Sequence, residues 1–192
     1  HTKATPEMIK ESGADRLIVA TGSVPVRPPV KGIDKPHVYD IVSAHFHEEK
    51  MGGTVAVIGG GPSGCELALA LGRRGRRVSL IEVTDRLAAA GNLLYRGALT
   101  ELLKDNKQIE VKLNTRAVEI KENSIVLQGT EGIPYEIPAD NVVYCTGLRP
   151  RQAEAESFVD VVYDVRLAGD CIGPRRINEA VHEGYFAGSF IV

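Results

Sequence analysis

The sequence carries three glycines at the spacing G-x-G-x-x-G: Gly59, Gly61 and Gly64. A β-branched run precedes them and an alanine- and leucine-rich run follows, as expected of a strand, a turn and a helix. In such a turn the first glycine permits the sharp bend, the second lets a polyanion approach the backbone, and the third lets the helix pack closely on the strand. The free N–H groups at the start of the helix favour an anion. The pattern predicts a phosphate-binding turn that also includes Gly60, Pro62 and Ser63. The alternative is a glycine-rich turn without a ligand.

An acid ends the next apolar run. Glu82 stands 23 residues after Gly59. At the end of the second strand of such a unit, a carboxylate accepts hydrogen bonds from the adenine-ribose hydroxyls of a dinucleotide and repels a 2′-phosphate. The spacing therefore predicts NAD(P)H as the ligand, with NADH favoured. Arg86, one turn downstream, is a candidate partner for a 2′-phosphate and weakens that preference. The alternative for Glu82 is a surface acid at a strand end.

A second acid, Glu66, lies in the first turn of the predicted helix. Two interpretations stay open for it. The carboxylate contacts a ligand near the nicotinamide ribose, or it interacts favourably with the helix dipole and has no ligand at all.

The surrounding pattern predicts an α/β fold. Strand, glycine turn, helix and strand follow one another within about thirty residues, which is typical of a βαβ unit. A period of two then replaces the helical period between residues 118 and 137, and this indicates an antiparallel meander. We therefore predict a Rossmann-like, doubly wound parallel sheet with an antiparallel meander. The predicted strands are residues 16–21, 54–58, 77–83, 109–113, 141–145 and 165–168, and the predicted helices are 40–50, 65–74, 92–104 and 176–191.

Two segments outside the central unit have distinct patterns. The proline- and glycine-rich residues 23–36 predict an irregular linker. Asp40 is a candidate cap for the short helix that follows. In the last helix Ile177, Ala180, Val181 and Gly184 fall on one face.

Composition excludes several classes of protein. A hydrophobic fraction of 43% with 25% charged residues is typical of a globular chain. A net charge of −2 argues against a nucleic-acid partner, and the basic residues 73–77 are interpreted as a solvated helix end. No apolar run approaches the roughly 18 residues that a membrane span needs. The 3 cysteines include no C-x-x-C, which argues against a metal site or redox dithiol and favours a cytoplasmic protein.

Motifs along the chain resemble the flavoproteins that have two dinucleotide-binding domains. They are A-T-G at residues 20–22, V-I-G-G-G-P-S-G-C-E at 57–66, C-T-G-L-R-P at 145–150 and L-A-G-D at 167–170. In that family an NAD(P)H domain is inserted into an FAD domain, and the A-T-G and T-G segments mark the crossings. The resemblance implies that Thr146 and Gly147 border NAD(P)H. It also implies that Thr21, Gly22 and Gly169 border FAD, while Asp170 contacts its ribitol chain. Without the family, Asp170 is interpreted as a helix or turn cap.

The C-terminal residues 170–184 are similar to one group of that family: the NADH:flavin oxidoreductases that include 2,4-dienoyl-CoA reductase, enoate reductase and trimethylamine dehydrogenase-like enzymes. In them a barrel with FMN and a 4Fe-4S cluster precedes the module. The resemblance implies that hydride passes from NAD(P)H to FAD, and electrons then reach an enoyl- or amine-type substrate. The resemblance also implies three parts of the chain. Residues 1–50 are a remnant of the FAD-binding domain with the crossover linker, residues 51–149 are the NAD(P)H-binding domain, and residues 150–192 are the segment that returns to the FAD-binding domain.

The departures from the family pattern also carry expectations. No G-x-G-x-x-G precedes Ala20, so we expect a fragment whose partners are the missing domains of the same polypeptide, and which binds FAD weakly or not at all. No residue is expected to act as a catalytic acid or base, and His182 is interpreted as an ordinary helix residue. Two alternatives stay open: a pyridine nucleotide–disulfide or ferredoxin reductase relative, and a non-catalytic nucleotide-binding module.

Overall fold

The computed structural model describes residues 2–189. It divides into two compact units. The terminal unit contains the two ends of the chain, up to Val24 and from Leu148, and the central unit is Pro25–Gly147. Within the described residues, no helix is both long and apolar enough to cross a membrane.

Strands and helices alternate between residues 54 and 112, as the predicted βαβ pattern requires. The helices are α1 (Pro6–Glu11), α2 (Ile41–His47), α3 (Pro62–Arg73), α4 (Leu93–Asp105), α5 (Gln152–Glu156) and α6 (Ile177–Ser189), with 3-10 helices at Glu48–Lys50 and Gly169–Cys171. The strands are β1 (Arg16–Val19), β2 (Ser23–Pro25), β3 (Val38–Asp40), β4 (Thr54–Ile58), β5 (Arg77–Ile81), β6 (Ile109–Lys112), β7 (Arg116–Ile120), β8 (Ser124–Gln128), β9 (Pro134–Pro138), β10 (Asn141–Tyr144), β11 (Leu148–Pro150) and β12 (Asp164–Leu167).

The central unit is built on a parallel sheet of five strands in the order β3-β10-β4-β5-β6. Strands β7, β8 and β9 form a separate antiparallel sheet, which is the predicted meander. In the terminal unit β1 pairs with β12 in parallel. Strands β2 and β11 also pair, where the chain passes from one unit into the other. The predicted α/β fold with a Rossmann-like parallel sheet is confirmed.

Strand periodicity explains how the central sheet is covered on both faces. Val55 and Val57 of β4 pack in one apolar cluster with α3 and α4, whereas Ala56 and Ile58 pack in another with the meander. Successive side chains of a strand point to opposite faces, so a continuous apolar run is required when both faces are buried. The run TVAVI meets that requirement.

The border of the central unit differs from the predicted domain border at residue 51. Residues 25–50 belong to the central unit because β3 is an edge strand of its sheet, with Val38 opposite Val142. A strand of three residues that pairs with a partner about a hundred residues away leaves no periodic signal in the sequence. The linker prediction for residues 23–36 also missed β2. Which cofactor each predicted domain holds stays a prediction.

The last helix has the predicted type but buries little of its apolar face. Of the four residues predicted to share that face, Ile177 and Val181 are exposed by 84% and 60%. Ala187 is the buried residue of α6. The predicted end of this helix at Ile191 lies outside the described residues.

Arg76, one of the basic residues 73–77, forms hydrogen bonds within the protein, contrary to the interpretation of this cluster as a solvated helix end. The Arg76 guanidinium donates hydrogen bonds to the carbonyl oxygens of Glu48, Met51 and Gly52. Arg74 pairs with the buried carboxylate of Glu48. These contacts tie the segment between α2 and β4 to the end of α3.

Asp40 caps α2 and generates a stability prediction. Its Oδ1 accepts hydrogen bonds from the N–H groups of Val42 and Ser43 at 2.8 and 2.9 Å. Burial alone would raise the pKa of Asp40, but the bonds from Ser43 and Val42 outweigh it and hold the pKa below its usual range. Asp40→Ala should lower the free energy of unfolding at neutral pH by about 1 kcal/mol.

The pH dependence follows from the lowered pKa. The ionised cap stabilises the folded state above the unfolded-state pKa, and that contribution is lost as pH falls through the lower, folded-state pKa. The difference between wild type and Asp40→Ala in urea unfolding should therefore shrink on acidification. Asp105→Ala is the control, because an acid at the C-terminal end of α4 is not stabilised by the helix dipole, so its removal should not lower the free energy of unfolding. An equal loss in both variants would contradict the cap.

Candidate functional site

The glycine turn connects β4 to α3, and its first glycine is fixed by the backbone of two neighbouring strands. The Gly59 N–H donates to the Ile81 carbonyl at 2.8 Å. Its φ of +108° is one that side chains disfavour. A Cβ at this position would lie 2.4 Å from the carbonyl oxygen of Cys145, at the end of β10. The sheet order therefore requires glycine here.

Gly64 and Gly60 also have no room for a side chain. A Cβ at Gly64 would lie 1.9 Å from the Gly59 carbonyl oxygen, so the first turn of α3 packs directly against the turn that precedes it. A Cβ at Gly60 would lie 2.5 Å from Leu87 and 2.9 Å from the Cβ of Glu82. These two glycines are required by packing.

Gly61 differs from its neighbours. A Cβ there would meet nothing within 4 Å, and its φ of −65° suits any residue. It is the N-cap of α3, and no side chain caps the helix. The N–H groups of Ser63 and Gly64 in the first turn have no acceptor within the helix, because the first turn of a helix leaves its donors free. Steric packing does not require a glycine at this position, whereas close approach of an anion favours one.

Glu82 connects the end of β5 to this turn. Its Oε2 accepts the Gly60 N–H at 2.7 Å, and its Oε1 accepts both the N–H and the hydroxyl of Thr84 at 2.8 Å. A carboxylate has about four acceptor sites, so about one remains for an outside hydroxyl. The acid is therefore held in place before any ligand arrives.

The other charged candidates of the central unit already have protein partners. The hydroxyl of Tyr95, at the start of α4, donates to the Glu66 carboxylate. Burial, assisted by that hydrogen bond, raises the pKa of Tyr95 to about 12. Arg86 pairs with Asp85 at 2.9 Å, which offsets the charge that a 2′-phosphate would need. Tyr95 was not identified from the sequence, since nothing in its spacing from Glu66 connects the two.

Thr146 and Gly147 follow β10, next to the glycine turn. The Thr146 hydroxyl donates to the Val26 carbonyl at 2.6 Å, and the Gly147 carbonyl accepts the Val26 N–H at 2.9 Å. Gly147 has a φ of +106°. Since β10 and β4 are parallel neighbours, both carboxyl ends lie at one edge of the sheet, where ligands of open α/β sheets bind.

The four residues predicted for FAD come together in the terminal unit. Thr21 and Gly22 follow β1, and Gly169 and Asp170 follow β12, its parallel neighbour, so both pairs lie at the same edge. Within the described residues, the buried Thr21 hydroxyl has no hydrogen-bond partner. Such a buried polar atom calls for a polar ligand or partner.

Two residues that sequence reasoning did not assign to a site support this edge. Ser23 donates to Asp170 Oδ2 at 3.1 Å, and Glu183 of α6 accepts the Gly169 N–H at 2.8 Å. The contact with Glu183 spans 14 residues and depends on how α6 packs, which no motif encodes.

All 3 cysteines are free and buried. Burial raises the pKa of Cys65 to about 11 and that of Cys145 to about 12. Their thiolate fractions at neutral pH are therefore small, and the protonated Cys65 thiol donates to the Gly60 carbonyl at 3.3 Å.

The glycines generate a paired stability prediction. Gly64→Ala should lower the free energy of unfolding by at least about 2 kcal/mol, because the new methyl group meets the Gly59 carbonyl and α3 must shift. Gly61→Ala should lower it by less than about 1 kcal/mol, because the methyl group meets no atom and the loss is only that of a poorer N-cap. Urea denaturation of both variants measures the difference. Similar losses in both would show that Gly61 is also required by packing.

Thiol reactivity checks the environment of the cysteines. At mildly alkaline pH the native chain should react slowly with a disulfide reagent such as dithionitrobenzoate, at a rate limited by unfolding, because all three thiols are buried. For Cys65, with a pKa of about 11, the thiolate fraction is also below about one per cent. All three should react at once in guanidinium chloride. A rapid first equivalent in the native chain would show an activated thiol.

Comparison with known proteins places these features in a family. The family model described as "Pyridine nucleotide-disulphide oxidoreductase" matches residues 3–184. The bilirubin reductase of Mediterraneibacter gnavus is 35% identical over 189 residues, which cover 98% of this chain and 29% of that protein. The cinnamate reductase of Clostridium sporogenes is 34% identical over 188 residues, covering 95% of this chain and 27% of that protein.

A comparison with solved structures also finds a reductase. A 2-naphthoyl-CoA reductase superposes with a TM-score of 0.90 at 29% identity, over 99% of this chain and 29% of its own. The chain thus spans less than a third of the length of these relatives. It belongs to the pyridine nucleotide-disulphide oxidoreductase family of FAD- and NAD(P)-binding oxidoreductases.

Proposed function

We propose that this chain binds NADH at the turn formed by residues 59–64 and serves as the NADH-binding part of a longer flavin-dependent oxidoreductase. The observation that carries the proposal is the contrast between Gly61, whose missing side chain leaves open space, and Gly59, Gly60 and Gly64, whose missing side chains are replaced by protein atoms. A polyphosphate approaching the start of α3 would use that open space.

Different residues at the turn contact different parts of the dinucleotide. The N–H groups of Ser63 and Gly64 donate to the pyrophosphate. The last acceptor site of Glu82 takes a hydroxyl of the adenine ribose, and its negative charge disfavours a 2′-phosphate. Arg86 already pairs with Asp85, so it offers less charge to a 2′-phosphate, and this supports NADH over NADPH. The nicotinamide supplies the hydride and FAD accepts it when both are bound.

Further residues orient the dinucleotide. Thr146 and Gly147 border it where β10 ends beside the turn. Glu66, held by the Tyr95 hydroxyl, contacts the half nearer the nicotinamide ribose. None of these side chains transfers a proton in this proposal; they bind and position the cofactor.

The terminal unit supplies one part of an FAD site. Thr21 and Gly22 after β1, with Gly169 and Asp170 after β12, form the edge that borders the flavin, and Asp170 binds its ribitol chain. The unpartnered Thr21 hydroxyl supports a polar ligand at this edge. Residues 1–15 contain no G-x-G-x-x-G turn for the FAD pyrophosphate, so we expect these 192 residues by themselves to hold FAD weakly or not at all.

The longer protein would include a domain of the same polypeptide that holds FMN and a 4Fe-4S cluster, and those groups would supply electrons for the reduction of an enoyl-type substrate. The relatives named for reduction of cinnamate and of 2-naphthoyl-CoA support a conjugated acyl substrate over an amine. The alternative within the family is a disulfide or ferredoxin reductase. The buried, protonated Cys65 and Cys145 favour the flavin relay, since neither serves as a redox dithiol here.

Calorimetric titration of the chain with NADH, NADPH and FAD tests the proposal. NADH should bind at least about 10-fold more tightly than NADPH, because a carboxylate faces the 2′-position. Gly61→Ala should weaken NADH binding by about 10-fold or more while the fold is kept. Gly97→Ala is the matched control, since a methyl group at Gly97 of α4 also meets open space and lies outside the turn.

Glu82→Gln separates the ribose contact from the phosphate contact. The amide loses the charge and keeps one acceptor oxygen, so the N–H of either Gly60 or Thr84 loses its acceptor and the affinity for both cofactors should fall. The ratio of the two affinities reports the charge, and the preference for NADH over NADPH should fall by about 5-fold or more. If FAD binds and neither nicotinamide cofactor does, the turn has been assigned to the wrong cofactor. If nothing binds and the fold is intact, the cofactor-binding proposal fails.

A further inference from the structure

A cavity of about 700 Å³ in the central unit has no role in the proposed function. It lies between the loop that follows Glu82, helix α4 and strand β6, and it includes none of residues 59–64. Small-molecule sites have volumes of about 300–1,000 Å³. The size of the cavity therefore suits a bound organic molecule.

The floor of the cavity is apolar. Leu87 and Leu103 are buried members of the core that underlies the sheet, and Val111 packs against that core. Leu113, just past the end of β6, is 37% exposed and completes the apolar wall. Water gains few hydrogen bonds from such a surface, and a hydrocarbon group would displace it favourably.

The rim is cationic and its charges are not neutralised. Arg96, Thr100 and Lys104 are spaced by four residues along α4, which places them in one row along the helix. In the part of the chain that the structure describes, neither Arg96 nor Lys104 has a side-chain ion pair or hydrogen bond. Asp85, the acid that lines the cavity, already pairs with Arg86.

We propose that this cavity is a second binding site, and that it takes an amphipathic carboxylate. The hydrocarbon body packs on Leu87, Leu103 and Leu113, and the carboxylate binds between Arg96 and Lys104. A charge-assisted contact to Arg96 supplies orientation, and the apolar floor supplies area. The lining residues exclude Glu82 and the glycine turn but include Leu87, which borders Gly60, so the cavity adjoins the site proposed for NADH and has a different set of binding groups.

The test uses octanoate as the probe and octanamide as its uncharged counterpart. The ¹⁵N-labelled chain is titrated with each, and amide shifts are followed by NMR. Octanoate should shift the amides that border the cavity, such as those of Arg96, Lys104 and Leu113, in a saturable way. Octanamide should bind at least about 5-fold more weakly, because it lacks the charge that the rim recognises.

Substitutions at the rim test which side chains bind the carboxylate of octanoate. The double variant Arg96→Gln and Lys104→Gln should weaken octanoate binding by about 10-fold or more. Lys107→Gln, which removes an exposed lysine just beyond α4 and outside the cavity, should leave it unchanged. Thr100→Phe should also abolish binding by filling the cavity. Calorimetry with NADH on the same variants should give unchanged affinity, which shows that each still folds.

Three results would overturn the proposal. One is the absence of saturable shifts around the cavity. Another is equal binding of octanoate and octanamide, which would show simple apolar adsorption. The third is mutual exclusion of octanoate and NADH, which would make the cavity a part of the dinucleotide site. Loss of NADH binding alone, with octanoate binding intact, would sink the proposed function and leave this site standing.

Discussion

The close approach of α3 to the end of β4 is the constraint on which the central unit depends. The first turn of the helix packs against the carbonyl of Gly59, and Gly59 packs against the carbonyl of Cys145, just past the end of the neighbouring strand β10. Only residues without a Cβ allow both contacts. The same approach brings the unpaired N–H groups of the helix to the edge of the sheet, beside Glu82. The short distance between α3 and the end of β4 therefore accounts both for the packing of the turn and for the position of the N–H groups that would bind a ligand.

Much of this could be predicted from the sequence because the signals are local. The glycine spacing, the strand-end acid and the changes of period place β4, α3, β5 and the meander without any tertiary knowledge. The predicted helix caps are likewise local: Asp40 begins α2, and it accepts bonds from residues two and three positions on. A pattern in which each residue depends on its near neighbours is visible in one dimension.

The features that escaped prediction are those that join distant segments. Strand β3 is recognisable only through its pairing with β10, and the Tyr95 hydroxyl meets Glu66 only because α4 returns beside α3. Glu183 reaches the backbone of Gly169 through the packing of the last helix. Such contacts depend on where whole elements lie relative to one another, and a single sequence carries no direct record of that.

The guanidinium of Arg76 shows that a charged side chain can serve mainly as a hydrogen-bond donor to the protein's own backbone. Four carbonyl oxygens from the segment before β4 accept hydrogen bonds from it. A planar fork with five donors can satisfy such a fan of acceptors, whereas the compact ammonium of a lysine lacks the reach and the geometry. This arginine therefore behaves as a cross-brace, and it adds less to the electric field felt by an approaching molecule than its place in a run of four basic residues would suggest.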